Sequence, residues 1–235
     1  MTASPLTTLA DAPRATAGVP RLRLQGIRKT WTSRRLAVLD GVDLSLWPGD
    51  VVSLQGRNGT GKTTLLRIAC GLIEPDAGEV RVCGVRRRDD RIAFQRQVGL
   101  VAAGHGGLYA RLSVRFQLEF NGGLAGLPAP DRTAYVERAL ERFALTEMRD
   151  ARVDRLSMGQ RQRVRLAIGF LAEPALMVLD EPRNSLDEDG AAVLAQAIEA
   201  ASRRGGAVLV CSPAGEALPY QPTRSYRLES GRLQD

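Results

Sequence analysis

One glycine-rich stretch of the sequence has the composition and spacing of a phosphate-binding loop. It consists of Gly56, Arg57, Asn58, Gly59, Thr60, Gly61, Lys62 and Thr63, and Thr64 follows it. The glycines allow backbone N–H groups to curve around an anion, and a helix that starts after them adds the positive end of its dipole. Lys62 would supply charge to the outer phosphates, and the Thr63 hydroxyl can join the coordination shell of a Mg2+ ion. The stretch therefore predicts a site for a nucleoside triphosphate.

The segments on both sides of this loop support that prediction. Residues 51–54 form a short apolar run of the kind found in buried strands, and residues 64–69 continue as a helix. Strand, glycine-rich loop and helix in this order form the context in which the motif binds phosphate. Lys29 and Lys62 are the two lysines among 33 basic residues, and Lys62 stands where a compact ammonium suits phosphates better than a guanidinium fork does.

Two adjacent acids end a second apolar run. Residues 175–179 are apolar, and Asp180, Glu181 and Pro182 follow them. In a phosphate-loop protein, an acid at the C-terminal end of a core strand lies where Mg2+ is held, which is the role we expect for Asp180. Glu181 can polarise an attacking water as a general base. The alternative for Asp180 alone is an ordinary acidic turn after a buried strand.

Composition sets limits on the class of protein. The 235 residues, of which 44% are apolar, suit one α/β domain with a small insertion. No apolar run reaches the roughly 20 residues of a membrane span, and the N-terminus lacks the pattern of a secretory signal. The three cysteines form no C-x-x-C pair, which argues against a zinc site and for a reducing compartment. The net charge of +7 indicates a solvated, arginine-rich surface, with nucleic acid or anionic lipid as the alternatives.

The order of apolar patterns predicts the architecture. Residues 1–20 are rich in Ala, Thr and Pro and predict a disordered tail before one domain over residues 21–235. Alternating stretches at residues 22–24, 42–46, 79–83 and 225–233 predict half-exposed antiparallel strands. Apolar runs at 51–54, 98–101, 175–179 and 207–211 predict strands buried on both faces. We expect an α/β fold with a mostly parallel core sheet flanked by helices, an antiparallel β subdomain, and a helical subdomain inserted at about 90–155.

Helical patterns lie between these strands. Asp131 is a candidate cap for a helix that places Val136, Leu140 and Phe143 on one face, and Asp187 is a candidate cap for another. A third helix is expected at about 160–172.

Three further motifs resemble those of ABC-type ATPases. Leu156-Ser157-Met158-Gly159-Gln160-Arg161-Gln162-Arg163 is similar to the signature of that family, and Asn184-Ser185-Leu186-Asp187 resembles its D-loop. Trp31 stands 25 residues before Gly56, where the family has an aromatic residue that stacks on adenine. The resemblance extends from about residue 22 to residue 233 and implies the P-loop NTPase fold of the ABC type.

The resemblance also implies how the residues act. In this family two subunits pack head to tail, and each ATP lies between the phosphate loop of one and the signature of the other. Ser157, Gly159 and Gln160 would therefore contact the γ-phosphate of ATP held by a second ABC subunit, in a homodimer or a heterodimer. Trp31 would stack on adenine, although an aromatic residue in an edge strand can also serve packing. Asp180 would bind Mg2+, Glu181 would be the catalytic base, and Asp187 would communicate across the dimer.

Two positions depart from the family pattern. Pro213 stands where the family has a histidine that contacts the γ-phosphate, and His105 is the one histidine of the sequence. The family's glutamine after the strand at 98–101 is also absent; His105 either takes its place or is an ordinary loop residue. Losing a donor to the γ-phosphate slows turnover, so we expect a degenerate site beside a different ABC subunit, or a homodimer with slow hydrolysis.

The resemblance implies an ATP-binding subunit that powers a separate transmembrane permease from the cytoplasmic face of the membrane. Residues 107–113 resemble the exporter type, and exposed Leu108 and Tyr109 would form a groove for a permease helix unless they pack within their own subdomain. Two alternatives are an ATP-binding regulator without hydrolysis and a soluble ABC ATPase that acts on nucleic acid. The second lacks support because the chain has neither heptads nor paired cysteines, so no nucleic acid partner is expected.

Overall fold

A computed structural model describes residues 18–31, 36–104 and 106–234, with two β-sheets and six α-helices in these ranges. The strands are β1 (Leu22–Trp31), β2 (Leu36–Leu46), β3 (Val51–Gly56), β4 (Ala77–Val82), β5 (Val98–Val101), β6 (Leu176–Asp180), β7 (Ala207–Pro213), β8 (Arg224–Glu229) and β9 (Arg232–Gln234). The helices are α1 (Lys62–Ala69), α2 (Arg91–Arg96), α3 (Val114–Leu124), α4 (Ala129–Arg142), α5 (Met158–Phe170) and α6 (Glu188–Arg203). Two short 3-10 helices cover Thr146–Met148 and Val153–Arg155. The tail predicted for residues 1–20 lies, up to residue 17, outside the described residues.

The larger sheet has six strands in the order β5-β6-β7-β3-β8-β9, and every pair except β8–β9 is parallel. Its first four strands are the four apolar runs, so the predicted parallel core sheet is confirmed. Strands buried on both faces require apolar residues at every position, which is why these runs are continuous. The register places Gly56 opposite Pro213 and Asp180 opposite Cys211, so the C-terminal ends of β3, β6 and β7 meet at one edge.

The smaller sheet is antiparallel, with the order β2-β1-β4, as its period-two pattern predicts. The alternating stretch at 225–233 forms the hairpin β8–β9, but this hairpin does not join the antiparallel sheet. Instead, β8 pairs in parallel with β3, and the hairpin completes one end of the core sheet. An alternating pattern of apolar and polar residues indicates that one face of the strand is exposed. A strand near the end of either sheet can have such a face, so the pattern does not choose between the sheets.

Helices α3 and α4 lie between β5 and α5 in the chain. The predicted insertion at about 90–155 also includes β5, which belongs to the core sheet, so the helices beyond that strand begin at Val114. Helix α4 starts after Pro128, and Asp131 lies in its first turn rather than at its cap. An acid in the first turn still favours the helix dipole, and Val136 and Leu140 are buried on one face as predicted.

The two faces of the core sheet carry different layers. Met177 and Leu179 of β6 pack with residues of α3 to α6 in one apolar cluster, which contains the tilted pair Phe143 and Phe170. The alternate residues of β6 pack in a second cluster with α1 and the antiparallel sheet. Because the side chains of a strand alternate between faces, β6 is held on both sides, and its C-terminal end is fixed in place.

Candidate nucleotide site

The glycine-rich loop joins the end of β3 to the start of α1. Gly61 is the N-cap of α1 and has a φ of 106°, in the left-handed region that favours glycine. The Nζ atom of Lys62 donates to the carbonyl oxygens of Gly56 at 2.6 Å and of Arg57 at 3.1 Å. The Thr60 hydroxyl donates to the same Arg57 carbonyl at 3.0 Å. The loop therefore folds around the ammonium group of its own lysine, which is buried.

At two positions of the loop, the backbone of a neighbouring strand comes so close that only glycine fits. A Cβ atom on Gly61 would lie 2.8 Å from the carbonyl oxygen of Val38, and one on Gly56 would lie 2.8 Å from that of Leu228. Both distances are shorter than real Cβ contacts, so a larger residue at either position would displace the loop or the neighbouring backbone. The contact with Val38 in β2 could not be predicted from the motif, because it comes from the antiparallel sheet.

A pocket of about 500 Å³ opens over this loop. Its lining brings together residues of three predicted motifs, together with Val38: Trp31, Asn58, Gly59, Gly61, Lys62, Thr63, Thr64 and Glu181. The Trp31 side chain is 40% exposed, and Lys29 Nζ lies 5.4 Å from the centroid of its ring. An exposed indole on the rim of a phosphate-loop pocket is available for stacking on a base.

Thr63 and Asp180 meet beside this pocket. The Thr63 hydroxyl donates to Asp180 Oδ2 at 3.0 Å. Burial raises the pKa of the Asp180 carboxyl and the nearby Glu181 charge adds to this, whereas hydrogen bonds from Thr63 and Cys211 act in the opposite direction. One hydroxyl and one buried carboxylate are oxygen donors of the kind that Mg2+ takes when water and phosphates complete its shell. The described residues contain no group of three or more His, Cys, Asp or Glu that could hold a metal ion.

Glu181 is held in an uncommon backbone conformation. Its φ is 49°, a left-handed value that costs a non-glycine residue about 1–3 kcal/mol. Its N–H donates to the Cys211 carbonyl at 2.9 Å, and its Oε2 accepts from Asn184 Nδ2 at 2.9 Å. Gln162 Nε2 supports the same turn by donating to the Pro182 carbonyl at 2.8 Å. The motifs contain Asn184 and Gln162, but these contacts depend on how α5 and the turn pack together.

The signature residues lie at the start of α5. Ser157 is the N-cap, its Oγ accepts from the Gln160 N–H at 3.2 Å, and its own N–H donates to Gln160 Oε1 at 2.9 Å, which completes a capping box. A Cβ atom on Gly159 would lie 2.9 Å from the Ser185 carbonyl oxygen. Ser157, Gly159 and Gln160 do not line the pocket over the phosphate loop. The chain therefore has two separate groups of site residues.

The D-loop continues into α6. Asp187 is the N-cap of this helix, and its Oδ1 accepts from the Gly190 N–H at 2.8 Å, which confirms the predicted cap.

The positions that depart from the family pattern also lie at this edge of the sheet. Pro213 ends β7 opposite Gly56 and has neither an N–H nor a side-chain donor. Ala102 and Ala103, which follow β5, line a cavity of about 440 Å³ together with Thr63 and Asp180. His105, which was a candidate for this region, lies outside the described residues.

An aromatic surface lies on α3 and the segment before it. Tyr109, Phe116 and Phe120 are exposed, and the rings of Tyr109 and Phe120 meet edge to face with centroids 5.7 Å apart. For Leu108 the sequence leaves open a place in an exposed groove or packing within the subdomain; it is half-buried and packs against the apolar cluster formed with α3 to α6. Tyr109 therefore belongs to the surface, whereas Leu108 contributes to packing.

Comparison with known proteins gives the family. A family model described as "ABC transporter" matches residues 39–184, which include the phosphate loop, the signature, Asp180 and Glu181. The chain belongs to the ABC transporter family. Within this family it is an ATP-binding subunit, and the predicted family and fold class are confirmed.

Relatives of the ABC transporter family match most of the chain. It is 39% identical over 175 residues to the cytochrome c biogenesis ATP-binding export protein CcmA of Sodalis glossinidius (strain morsitans), over 74% of this chain and 80% of that protein. It is 31% identical over 171 residues to the ABC transporter ATP-binding protein NatA of Bacillus subtilis (strain 168), over 73% of this chain and 70% of that protein. A solved structure of the ATP-binding subunit of an ABC transporter superposes with a TM-score of 0.82 at 26% identity, over 91% of this chain and 88% of that one.

No helix in the described part of this ABC subunit is both long enough and apolar enough to cross a membrane.

Proposed function

We propose that this subunit binds ATP with Mg2+ and hydrolyses it, slowly, to drive export through a separate transmembrane permease. The observation that carries the proposal is one pocket that joins the phosphate loop, Trp31 and Glu181, with the Thr63–Asp180 pair beside it. Binding, metal coordination and water activation need these groups within reach of one triphosphate. Membership of the ABC transporter family supports ATP hydrolysis as the reaction.

ATP would enter with its phosphates at the N-terminus of α1. Lys62 Nζ would exchange its bonds to the Gly56 and Arg57 carbonyls for bonds to phosphate oxygens. The N–H groups of the loop and the dipole of α1 add to that attraction. Trp31 would stack on the base, and Thr64 and Asn58 line the same pocket.

Thr63 and Asp180 would hold Mg2+, Thr63 directly and Asp180 through water. When it is bound, the ion neutralises charge on the β- and γ-phosphates. Burial disfavours the ionised form of the Asp180 carboxyl, because the charge is removed from water. A cation bound nearby would offset that cost.

Glu181 would act as general base. Its carboxylate accepts a proton from water while the water oxygen attacks the γ-phosphorus. The bond between the γ-phosphorus and the oxygen of ADP then breaks. The bond from Asn184 fixes one carboxylate oxygen, so the other is free to orient the water. The hydrogen bond from Glu181 N–H to Cys211 fixes the backbone of the base relative to the core sheet.

The signature residues would complete the site of a second ABC subunit. Ser157 is exposed at the N-terminus of α5, and its group lies apart from the pocket over the phosphate loop. A helix N-terminus with free N–H groups attracts an anion, and the γ-phosphate of a partner's ATP provides one. ATP would thus hold two subunits head to tail, either as a homodimer or as a heterodimer.

Pro213 would limit the rate. Pro213, which lies opposite Gly56, offers no donor to the γ-phosphate. Loss of one such donor typically lowers turnover by a factor of about 10²–10³. Lys62, Asp180 and Glu181 are all present, so binding and slow hydrolysis remain. A non-hydrolysing regulator is the second candidate, and Pro213 is the observation that favours it.

The permease would dock on the aromatic surface formed by Tyr109, Phe116 and Phe120. These rings are exposed on and beside α3, and aromatic surfaces of this kind accept an amphipathic helix. This contact would place the subunit on the cytoplasmic face of the membrane. The relative named as an ATP-binding export protein supports export, and the cargo is selected by the permease.

Equilibrium binding of Mg-ATP to the purified chain tests the nucleotide site. Lys62→Ala should weaken binding at least tenfold, whereas Arg203→Ala, which changes an exposed side chain on α6, should leave it unchanged. Equal affinity in the wild-type chain and Lys62→Ala would overturn the proposal.

Co-purification with a membrane protein tests the transporter role. A polytopic membrane protein should co-purify with the wild-type chain but not with the Phe116→Ser variant. Unchanged co-purification with the variant would contradict the proposed docking surface.

A further inference from the structure

A smaller cavity than the two described above adjoins the Glu181 carboxylate. Its volume is about 200 Å³, and its lining comes from the segment after β5, from α5 and from the turn after β6: Ala102, Ala103, Gly104, Gln162, Arg165, Glu181, Asn184 and Ser185. Glu181 is the one residue that lines both this cavity and the pocket over the phosphate loop. A group released beside Glu181 therefore has this cavity next to it.

Arg165 brings a positive charge to the cavity. Its guanidinium forms no ion pair with a carboxylate of the described residues, and its Nε is buried without a hydrogen-bond partner among them. Burial lowers the pKa of this guanidinium from its ordinary value, since the charge is partly removed from water. A half-buried cation that forms no ion pair favours an anion beside it.

Arg165 is also held in a fixed orientation. Its Nη2 donates to Gln162 Oε1, and Gln162 Nε2 donates to the Pro182 carbonyl at 2.8 Å. Gln162 is 2% exposed, so the amide that links the guanidinium to the turn is buried. An arginine fixed by a buried amide is preorganised to bind an oxyanion.

The remaining polar groups define the kind of anion. Glu181 presents a carboxylate, which accepts hydrogen bonds, and Ser185 adds a hydroxyl, which both donates and accepts. A ligand that carries both charged oxygens and O–H groups satisfies Arg165 and Glu181 together. Dihydrogen phosphate has this combination, whereas a fully deprotonated anion would be repelled by Glu181.

We propose that this cavity is a binding site for the inorganic phosphate produced by hydrolysis, with Arg165 as its cationic ligand. The proposal rests on the hydrolysis proposed above. In that reaction the water oxygen bonds to the γ-phosphorus, the bond from phosphorus to the β,γ-bridging oxygen breaks, and its electron pair leaves with ADP. The proton taken by Glu181 passes to the phosphate. The protonated phosphate then moves past Glu181 to Arg165, and ADP stays on the phosphate loop.

Titration of inorganic phosphate into the full chain saturated with Mg-ADP tests the site. Arg165→Gln should weaken phosphate binding at least tenfold and leave ADP affinity unchanged, and Arg165→Lys should recover part of the loss. Arg163→Gln is the matched control, because Arg163 lies on the same helix but donates to the Ala144 carbonyl. Unchanged ADP affinity also shows that each variant is folded.

Phosphate affinity that is equal in the wild-type chain and Arg165→Gln would overturn the proposal, because the ion would then lie at the phosphate loop. Absence of phosphate binding to the wild-type chain would overturn it as well. Ala103→Glu offers a second variant, since it adds a carboxylate to an exposed part of the lining and should exclude phosphate without changing Arg165.

A kinetic experiment separates product phosphate from free phosphate. In a single turnover followed with a phosphate sensor, Arg165→Gln should release phosphate faster relative to ADP than the wild-type chain, and equal release would contradict a role in the reaction. Absence of turnover in the wild-type chain would contradict the proposed hydrolysis, whereas the titration with added phosphate still decides whether the cavity binds the ion.

Discussion

The Thr63 hydroxyl donates a hydrogen bond to Asp180 Oδ2 across 3.0 Å, although the two residues are 117 positions apart in the sequence. The bond joins the first turn of α1 to the last residue of β6. Both oxygens stand at the C-terminal edge of the parallel sheet, where α/β folds place their ligands. The order of strands therefore brings the two motifs together at one edge of the sheet.

Thr63→Val should weaken Mg-ATP binding about tenfold while ATP binding in the absence of Mg2+ changes little. Valine keeps the shape of the side chain and removes the hydroxyl, and one hydrogen bond that involves a charged group is worth about 1.5–3 kcal/mol. Equilibrium titrations with and without Mg2+ measure both affinities. An equal loss under both conditions would show that Thr63 serves the loop rather than the metal ion.

Gly61→Ala should reduce ATP affinity far more than Gly59→Ala. Both glycines have positive φ values, so alanine strains the backbone at either position. A Cβ atom on Gly61 would also collide with the Val38 carbonyl, whereas one on Gly59 would have nothing within 4 Å. Titration of ATP into the two variants measures the difference. Equal losses would mean that the contact with β2 does not position the loop.

Asp76→Asn should reduce the dependence of stability on acid pH. A hydrogen bond from Lys29 and one from the Thr30 N–H hold the pKa of the Asp76 carboxyl below its ordinary value of 3.8. The carboxylate therefore stabilises the fold above that ordinary value, and this contribution is lost as pH falls through the lowered pKa. Urea unfolding between about pH 5 and pH 2 should show a smaller loss of stability in the variant than in the wild-type chain. Parallel curves would contradict this role of Asp76.

Gly159→Ala should impair ATP-dependent dimerisation and turnover more than ATP binding. A Cβ atom at this position would lie 2.9 Å from the Ser185 carbonyl, so the start of α5 or the D-loop must move. Gly159 does not line the pocket over the phosphate loop, so the affinity for ATP should stay within about twofold of the wild type, a difference below about 0.5 kcal/mol. Sedimentation with ATP and an ATP titration separate the two effects. Normal dimerisation of the variant would contradict the proposed role of the signature.

The parts of the site that the sequence predicts are those set by local chemistry. The phosphate loop depends on the residue types at 56–63, and the acids at Asp180 and Glu181 depend on the end of an apolar run. Each of these features depends on a few consecutive residues, so it can be recognised in the sequence alone. The family resemblance also implies that Pro213 lies beside the loop, because it stands where the family has a histidine that contacts the γ-phosphate.

Other parts depend on tertiary packing. Two hydrogen bonds form where the turn after β6 packs against α5, one from Asn184 to Glu181 and one from Arg165 to Gln162. Neither motif spacing nor hydrophobic periodicity predicts that this turn and this helix pack together. The antiparallel strands predicted at 225–233 form the hairpin β8–β9, but its place at the end of the core sheet could not be predicted, since an alternating pattern does not specify which neighbour a strand takes. The sequence also leaves open whether Leu108 is exposed or packs within its subdomain, and its partial burial follows from the packing of the helices around it.

Steady-state ATP turnover of the purified chain tests the central claim most directly, with Glu181→Gln and Lys62→Ala measured beside it. The account predicts slow but measurable turnover in the wild-type chain. Glu181→Gln should bind Mg-ATP with nearly the wild-type affinity and hydrolyse none, because the base is removed and the phosphate loop is intact. Lys62→Ala should lose both binding and turnover. Turnover that survives in Glu181→Gln would contradict the account, and tight ATP binding without any wild-type turnover would assign the chain to the regulatory role instead.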